Sequence, residues 1–471
     1  MTPAPPPGGP ARAGAAPHRA AEASDPAAPH REAPASGPAA PRRAAEPAGD
    51  PGEGERVELT VGAVAHGGHC VARLGGPAGR VVFVRHALPG ERVLAEVTEV
   101  HRSYLRADAV AVLDPARDRV APPCPYAHPG GCGGCDLQHV APAAQLHWKS
   151  AVVREQLLRL ARLSPEELDA LDLRVRPLPG GPLGWRTRVR YAVAASDRAG
   201  LLKHRSHEVV AVDRCRIAHP AVQDAPVTGR DWPHAAAVEV ATGATGEVSV
   251  RVDGRPYRGP EHTVERALGR EWALPPGAFW QVHPAAAETL AGAVVELLAP
   301  RPGEAAWDLY GGAGLFAAAL AGPLGPTGAV TVVELPGPAV DAGRRALADA
   351  PRVRFVPARV EAALRRRLLP TPVDLVVLDP PRAGAGPAVV RAVAAAGPRA
   401  VAYVACDPAA FARDVRFFAA HGWRLDRVRA YDCFPMTQHV ELVGLLVPGA
   451  RRARGGTGPF PRPDRLARHE R

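Results

Sequence analysis

Several short stretches of this chain carry residues that could do chemistry. Cys406 follows the apolar run Ala400-Val401-Ala402-Tyr403-Val404-Ala405 and precedes Asp407-Pro408. A run this apolar predicts a strand buried on both faces. Asp is a good N-cap and Pro suits a first helical turn. The thiol therefore sits between a strand end and a helix start, the edge at which open α/β sheets bind ligands. A helix N-terminus there is expected to favour the thiolate, the nucleophilic form. A lone cysteine in such a place is more often a small core residue, so the neighbouring motifs decide. In Phe434-Pro435-Met436-Thr437-Gln438-His439-Val440-Glu441, His439 and Glu441 stand two apart, on one face of a starting strand, and either could be a general base. Leu378-Asp379-Pro380-Pro381-Arg382-Ala383-Gly384 ends another apolar strand. Its prolines remove backbone donors and stiffen the loop, which aims the Asp379 carboxylate into a cleft.

Asp308-Leu309-Tyr310-Gly311-Gly312-Ala313-Gly314-Leu315-Phe316 reads as a strand, a glycine turn and a helix start. Glu334 ends the following strand, where a carboxylate holds ribose hydroxyls in nucleoside-cofactor folds. The turn is not a clean G-x-G-x-x-G, which disfavours a dinucleotide. Cys124, Cys132 and Cys135 fall in a Gly- and Pro-rich loop that can wrap a metal centre, and Cys215 is the best candidate for a fourth ligand. Four thiolates suit zinc or an iron–sulfur cluster, and their spacing does not choose between them. With Cys70, Cys406 and Cys433 the cysteines number 7, an odd count with three clustered. That fits metal-binding or catalytic thiols inside a cell rather than a disulfide framework.

The elements that must position these residues follow from composition and periodicity. The 471 residues suffice for several domains, and 58 Lys and Arg against 48 Asp and Glu point to a polyanion partner, nucleic acid first. Residues 1–54 are Ala, Pro, Gly and Arg with almost no large apolar side chain, and are expected to be disordered, as is the basic tail 449–471. Residues 55–115 alternate in short strands broken by Gly67-Gly68 and Gly75-Gly76, which predicts a small β-barrel. Arg73, Arg80, Arg85, Arg102 and Arg106 at its turns suit RNA phosphates. Residues 116–270 form a central domain with the cysteine cluster, an amphipathic helix over 144–163, and β-rich pieces from 171 onward. Residues 271–448 alternate strand and helix, with strands expected at 305–309, 330–334, 353–356, 373–378, 400–404, 424–430 and 441–447. That pattern predicts a doubly wound α/β sheet. No stretch approaches a signal peptide or a membrane span, so a cytoplasmic protein with no membrane partner is expected.

Taken together, these motifs resemble the RNA uracil-5-methyltransferase family, in particular its iron–sulfur ribosomal RNA branch, over about residues 55–448. The resemblance implies a Rossmann-like class I methyltransferase domain, an N-terminal OB-like barrel of the TRAM type and a central β-rich domain. It implies RNA as partner, ribosomal RNA first and transfer RNA second, and a monomeric enzyme. S-adenosylmethionine would be contacted by Gln281 in Phe279-Trp280-Gln281-Val282-His283 and by Tyr310, Glu334 and Asp379. Cys124, Cys132, Cys135 and Cys215 would hold a 4Fe-4S cluster, Cys406 would be the nucleophile and Glu441 the proton-abstracting base. Two positions depart from the family: His283 stands where Asn is usual, and Gly311 where many members have Cys, the latter expected to be without consequence in a backbone turn.

The chemistry of uracil agrees with that assignment. Carbon 5 is a poor nucleophile until a thiolate adds at carbon 6 and makes an enolate. Loss of the carbon 5 proton to a base then lets the thiol leave. The reacting base must leave the stack, which suits a loop or bulge in RNA. Two rivals remain open at this stage. An amino-methyltransferase would share Asp379-Pro380-Pro381 but need neither Cys406 nor Glu441. A binding protein with an inactive methyltransferase fold would have no use for the intact set.

Overall fold

The computed structural model describes residues 51–275 and 277–449, and every element below lies among them. The two segments expected to be disordered fall outside the described residues apart from 51–54 and 449.

The barrel is built from β1 (Arg56–Ala65), β2 (His69–Arg73), β3 (Val81–Arg85), β4 (Arg92–Val100) and β5 (Tyr104–Asp114), closed in the order β1-β2-β3-β5-β4. Alternate residues fill its interior: Leu59 and Val61, Val82 and Val84, Val93, Ala95 and Val97, Leu105 and Ala107. The period-two alternation that predicts the barrel is lost in β2. There His69 and Cys70, adjacent in sequence, are both buried, which erases the period-two signal.

The helix expected over 144–163 is two pieces. An α-helix spans Pro142–Gln156, and a π-helical turn, Leu157–Ala161, follows it. The helix seats Trp148 and Val152 on the barrel core, while Val153 and Leu157 join the core of the large sheet. The strand β6 (Val175–Pro177) also joins that sheet.

The central β-rich part is one antiparallel sheet of β7 (Arg188–Val193), β8 (Ala199–Leu202), β9 (Val209–Ala211), β10 (Ala237–Thr242), β11 (Val248–Val252) and β12 (Arg255–Arg258), ordered β12-β11-β10-β7-β8-β9. A hairpin of β13 (Thr263–Ala267) and β14 (Arg270–Leu274) leads out of it.

The large sheet contains β15 (Ala305–Leu309), β16 (Ala329–Glu334), β17 (Val353–Pro357), β18 (Leu375–Leu378), β19 (Ala400–Ala405), β20 (Trp423–Asp432) and β21 (Glu441–Pro448), with β6 at its edge. Its order is β17-β16-β15-β18-β19-β21-β20-β6. The strands from β17 to β19 are parallel, as a doubly wound sheet requires. The last strand reverses: β21 inserts between β19 and β20 and runs antiparallel to both. Along β19, Ala400, Ala402 and Val404 pack into one core and Val401, Tyr403 and Ala405 into the other. Both faces are covered, so the strand is apolar throughout rather than alternating. No helix among the described residues is long and apolar enough to cross a membrane.

Candidate active site

The chain runs out from β15 to β16 and β17, then returns across β15 to β18 and β19, which opens a crevice at their carboxyl ends. Tyr310 follows β15, Glu334 ends β16, Asp379 follows β18 and Cys406 follows β19. Glu441 reaches the same edge from the other direction. Because β21 is antiparallel to β19, with Ala405 opposite Leu442, its first residue arrives where β19 ends. Gln281 comes from the segment between β14 and the helix Ala286–Leu298, and that segment is pinned to the central sheet. The Thr187 backbone N–H and hydroxyl both donate to the Val282 carbonyl, at 2.9 and 3.0 Å. All six residues line one cleft of about 740 Å³, together with Phe279, Arg382, Phe434 and His439.

Local hydrogen bonds fix the cleft floor. The Glu334 carboxylate accepts from the Gly312 N–H at 3.0 Å and the Leu335 N–H at 2.6 Å. Gly311 is not interchangeable with Cys: a Cβ there would lie 2.5 Å from Val332 Cγ1 and 2.9 Å from Asp308 Cγ. The turn is packed from behind, so a side chain at this position would need Val332 or Asp308 to shift. Asp308 lies behind the turn and acts on the site through Asp379, a role not expected from the sequence. It is fully buried, its Oδ2 accepts from the Ala317 N–H at 3.0 Å, and its Oδ1 has no partner. Its place at the end of β15, inside the glycine motif, is the signal that could have found it.

The His283 departure has a structural account. Its Nδ1 accepts from the Ala285 N–H at 3.2 Å, two residues on, the bond an Asn carboxamide makes in an Asx-turn. The ring stacks on Trp185 with centroids 6.0 Å apart. Burial lowers its affinity for a proton, so the ring is neutral.

The electrostatics differ from expectation at the thiol. Burial, followed by the Glu441 carboxyl, pushes Cys406 up to about 11, and Arg382 opposes the shift. The resting group is a thiol. Asp407 caps the helix Pro408–Ala420, accepting from the Ala410 N–H at 2.7 Å, and its charge beside the thiol adds to the upward shift. Burial also raises Glu441 well above the usual carboxylate range, with Asp379 adding and Arg382 opposing. Asp379 is pushed to about 7 by burial, then Asp308 and Glu334, and Asp308 to about 7 by burial, then Glu334. His439 lies outside β21 rather than on its face, with its ring nitrogens 3.4 Å from Arg382 Nη2 and 3.2 Å from Gln438 Nε2. Burial, then Arg382, brings it down to about 4, which makes it neutral but a weak base.

The loop before β21 is held by groups the sequence reading does not single out. Lys149, fully buried on the helix Pro142–Gln156, donates to Asp432 at 2.6 Å and to the Phe434 carbonyl at 3.1 Å. Gln145 accepts from the Met436 N–H, and Asp136 accepts from the Gln438 N–H, both at 3.0 Å. The Asp136 and Leu137 N–H groups both donate to the Met436 carbonyl. On the barrel side, His66 Nε2 lies 3.2 Å from the Asp407 carboxylate, beside Cys406.

Cys124, Cys132, Cys135 and Cys215 are brought together. They line one pocket with Tyr126, Arg186 and Ile217, and all four thiols are free of disulfides. Burial raises Cys132, Cys135 and Cys215, and neighbouring thiols add to each. Among the described residues no group of three or more His, Cys, Asp or Glu side chains is placed to hold a single metal ion.

Residues 52–110 match the TRAM domain model and residues 367–448 the tRNA (Uracil-5-)-methyltransferase model. A protein of Streptomyces avermitilis described as an RNA methyltransferase is 50% identical over 435 residues, covering 84% of this chain and 99% of that one. One of Streptomyces coelicolor with the same description is 48% identical over 440 residues, covering 84% and 94%. The tRNA (uracil-54, C5)-methyltransferase of Pyrococcus abyssi, solved in complex with S-adenosyl-L-homocysteine, superposes with a TM-score of 0.61 at 24% identity, over 82% of this chain and 99% of that one.

Proposed function

Given that the chain belongs to the RNA uracil-5-methyltransferase family, we propose that it methylates carbon 5 of one uridine in a structured RNA through a covalent adduct to Cys406. The observation that carries this reading is the arrival of Cys406 and Glu441 at one sheet edge, beside a crevice with Glu334 and Asp379 on its floor. The crevice would take S-adenosylmethionine with Glu334 at the ribose hydroxyls, Gln281 and Tyr310 flanking it, and Asp379 offering negative charge to the cation. When bound, S-adenosylmethionine supplies an electrophilic methyl group.

The chain's own residues do the rest. Cys406 gives up its proton to solvent, a loss that the Arg382 charge favours, and its sulfur bonds to carbon 6 of a uracil turned out of the RNA. The ring electrons move to carbon 5 and the carbonyl oxygen, and carbon 5 would take the methyl as the donor's methyl–sulfur bond breaks and its sulfonium leaves as a neutral thioether. Glu441, having first given its own proton to solvent, a loss that Arg382 favours, then removes the carbon 5 proton, the carbon–sulfur bond breaks, and the ring double bond returns. His439 is the weaker base by its low proton affinity and serves to shape the cleft.

We assign the four-cysteine pocket to a 4Fe-4S cluster. Four free thiols facing one pocket supply the ligands, and a cuboidal cluster holds its thiolates farther apart than a zinc ion does. Such a cluster would tie the Cys124–Cys135 loop to Cys215, and no catalytic step needs it. The resemblance to the iron–sulfur ribosomal RNA branch favours ribosomal RNA as substrate. Transfer RNA is the second reading, favoured by the matched family model and by the Pyrococcus abyssi structure. A monomer in the cytoplasm completes the proposal.

The test is a denaturing gel with labelled RNA and labelled methyl donor. Cys406→Ala should give neither adduct nor methylated RNA. Glu441→Gln should methylate and then stall as a protein-linked, methylated RNA. If Glu441→Gln releases free product at the normal rate while His439→Ala traps the adduct, the base is His439. Mapping 5-methyluridine in RNA from a deletion strain distinguishes ribosomal from transfer RNA.

A further inference from the structure

The loop that carries Asp379 and Arg382 is anchored on a buried network away from the cleft. It leaves β18 at Asp379, whose N–H donates to the Leu309 carbonyl at 3.2 Å. It then turns, with the Gly384 N–H on the Pro381 carbonyl at 2.8 Å, and enters the helix Gly386–Ala396. Ala385 stands at the N-cap of that helix and has no side-chain acceptor to offer. Asp414, 2% exposed on the helix Pro408–Ala420, supplies one from across the fold. Its Oδ2 accepts from the Ala385 N–H at 2.7 Å and from the Gly386 N–H at 3.2 Å. Gly384 makes the approach possible: its φ is +90°, and a Cβ there would lie 2.7 Å from Asp414 Oδ2.

The same oxygen accepts from the Tyr403 hydroxyl at 2.5 Å, and the Ala385 N–H lies 3.1 Å from that hydroxyl. Tyr403 is fully buried on β19, three residues before Cys406. Burial, then Asp414, raises its hold on the proton, so the hydroxyl is a donor. Capping needs only an acceptor. The bond to Tyr403 adds a fixed reference on the strand that ends in the nucleophile, so one carboxyl group joins that strand to the loop carrying Arg382. The join bears on the thiol. Glu441, Asp379 and Asp407 add to the upward shift of Cys406, and Arg382 opposes it. Coulomb interactions fall with distance, so a displaced loop would leave the thiol harder to ionise.

Resting on the reading of Cys406 as the nucleophile, we propose that Asp414 is a positioning residue, which with Tyr403 fixes Arg382 in register with Cys406.

The test is alkylation of Cys406 by iodoacetamide in the full chain across a pH series, followed by mass spectrometry of its peptide. Asp414→Asn places an amide where two N–H groups and a hydroxyl need an acceptor. It should slow alkylation at pH 8 by about tenfold, which is one pH unit along the profile. Arg382→Gln should do the same, and the double variant should be no slower than Arg382→Gln alone. Val415→Ala, at the buried neighbour of Asp414, loosens the same helix and should leave the profile in place. Tyr403→Phe covers the case in which Asp414→Asn does not fold, and should move the profile the same way by a smaller step. Unmoved profiles in Asp414→Asn and Tyr403→Phe would overturn the proposal, as would additive losses in the double variant. An equal shift in Val415→Ala would also overturn it, by making the effect one of general loosening. Formation of an RNA adduct by the unaltered chain is scored separately. Its absence would remove the nucleophile reading, while coupled losses in the alkylation profiles would still establish the positioning role.

Discussion

Asp379 titrates near 7 because burial and the neighbouring Asp308 and Glu334 carboxyls disfavour its charge. Two outcomes follow. A carboxyl whose folded value is raised favours the fold most below its unfolded value, near 4, and that contribution is lost as pH rises through 7. Asp379→Asn should therefore raise the melting temperature of the ligand-free protein at pH 8, with a gain that shrinks toward pH 5. The same substitution should weaken S-adenosylmethionine by about tenfold or more, read by calorimetry, since it removes a charge-assisted contact. In the unaltered protein the cation should bind about tenfold more weakly at pH 6 than at pH 8, with protons released on binding. For Cys406, held as a thiol up to about 11, the rate of adduct formation in a single turnover should climb with pH from 7 to 9. A flat profile would mean that a bound group, rather than solvent, takes the proton.

The antiparallel insertion of β21 and the loop before it do the most to assemble the site. Lys149 and Asp432 form a buried pair below that loop, and Lys149 also holds the Phe434 carbonyl. Lys149→Met leaves the carboxylate buried and unpaired, at a cost of roughly 3–5 kcal/mol. It should lower the melting temperature and speed amide exchange across residues 433–440 more than elsewhere, with the larger kinetic loss in kcat. The parallel strands β15, β16 and β19 were legible because apolar runs end at Asp308, Glu334 and Cys406 within a residue or so of the real ends. The strand β2 and the π-helical turn were not, since burial of His69 and Cys70 and the register of Leu157 depend on partners far along the chain.

At the scale of the whole molecule, barrel, cysteine loop and catalytic sheet are joined by a few polar contacts. His66 of the barrel meets Asp407, and Asp136 and Leu137, directly after Cys135, hold Met436 and Gln438. Under the cluster assignment, Cys132→Ser should lose iron and sulfide from protein purified without oxygen. It should also loosen residues 436–438, as seen by amide exchange. Zinc with no iron in the unaltered protein would sink the iron–sulfur assignment and leave the exchange prediction standing on the hydrogen bonds alone.

The amino-acid order determined which strand ends carry Tyr310, Glu334, Asp379 and Cys406, because local apolar runs and turn residues set where each strand stops. It also marked the cysteine loop by its glycines. Only tertiary pairing decided that Glu441 meets Cys406, since strand direction in a sheet is not written in either strand. The same holds for the protonation of the thiol and for the Asp308 carboxyl buried behind the glycine turn. Burial and the sum of neighbouring charges fix a proton's affinity, and those neighbours come from other strand ends, with Glu441, Arg382 and Asp379 around Cys406 and Glu334 beside Asp308.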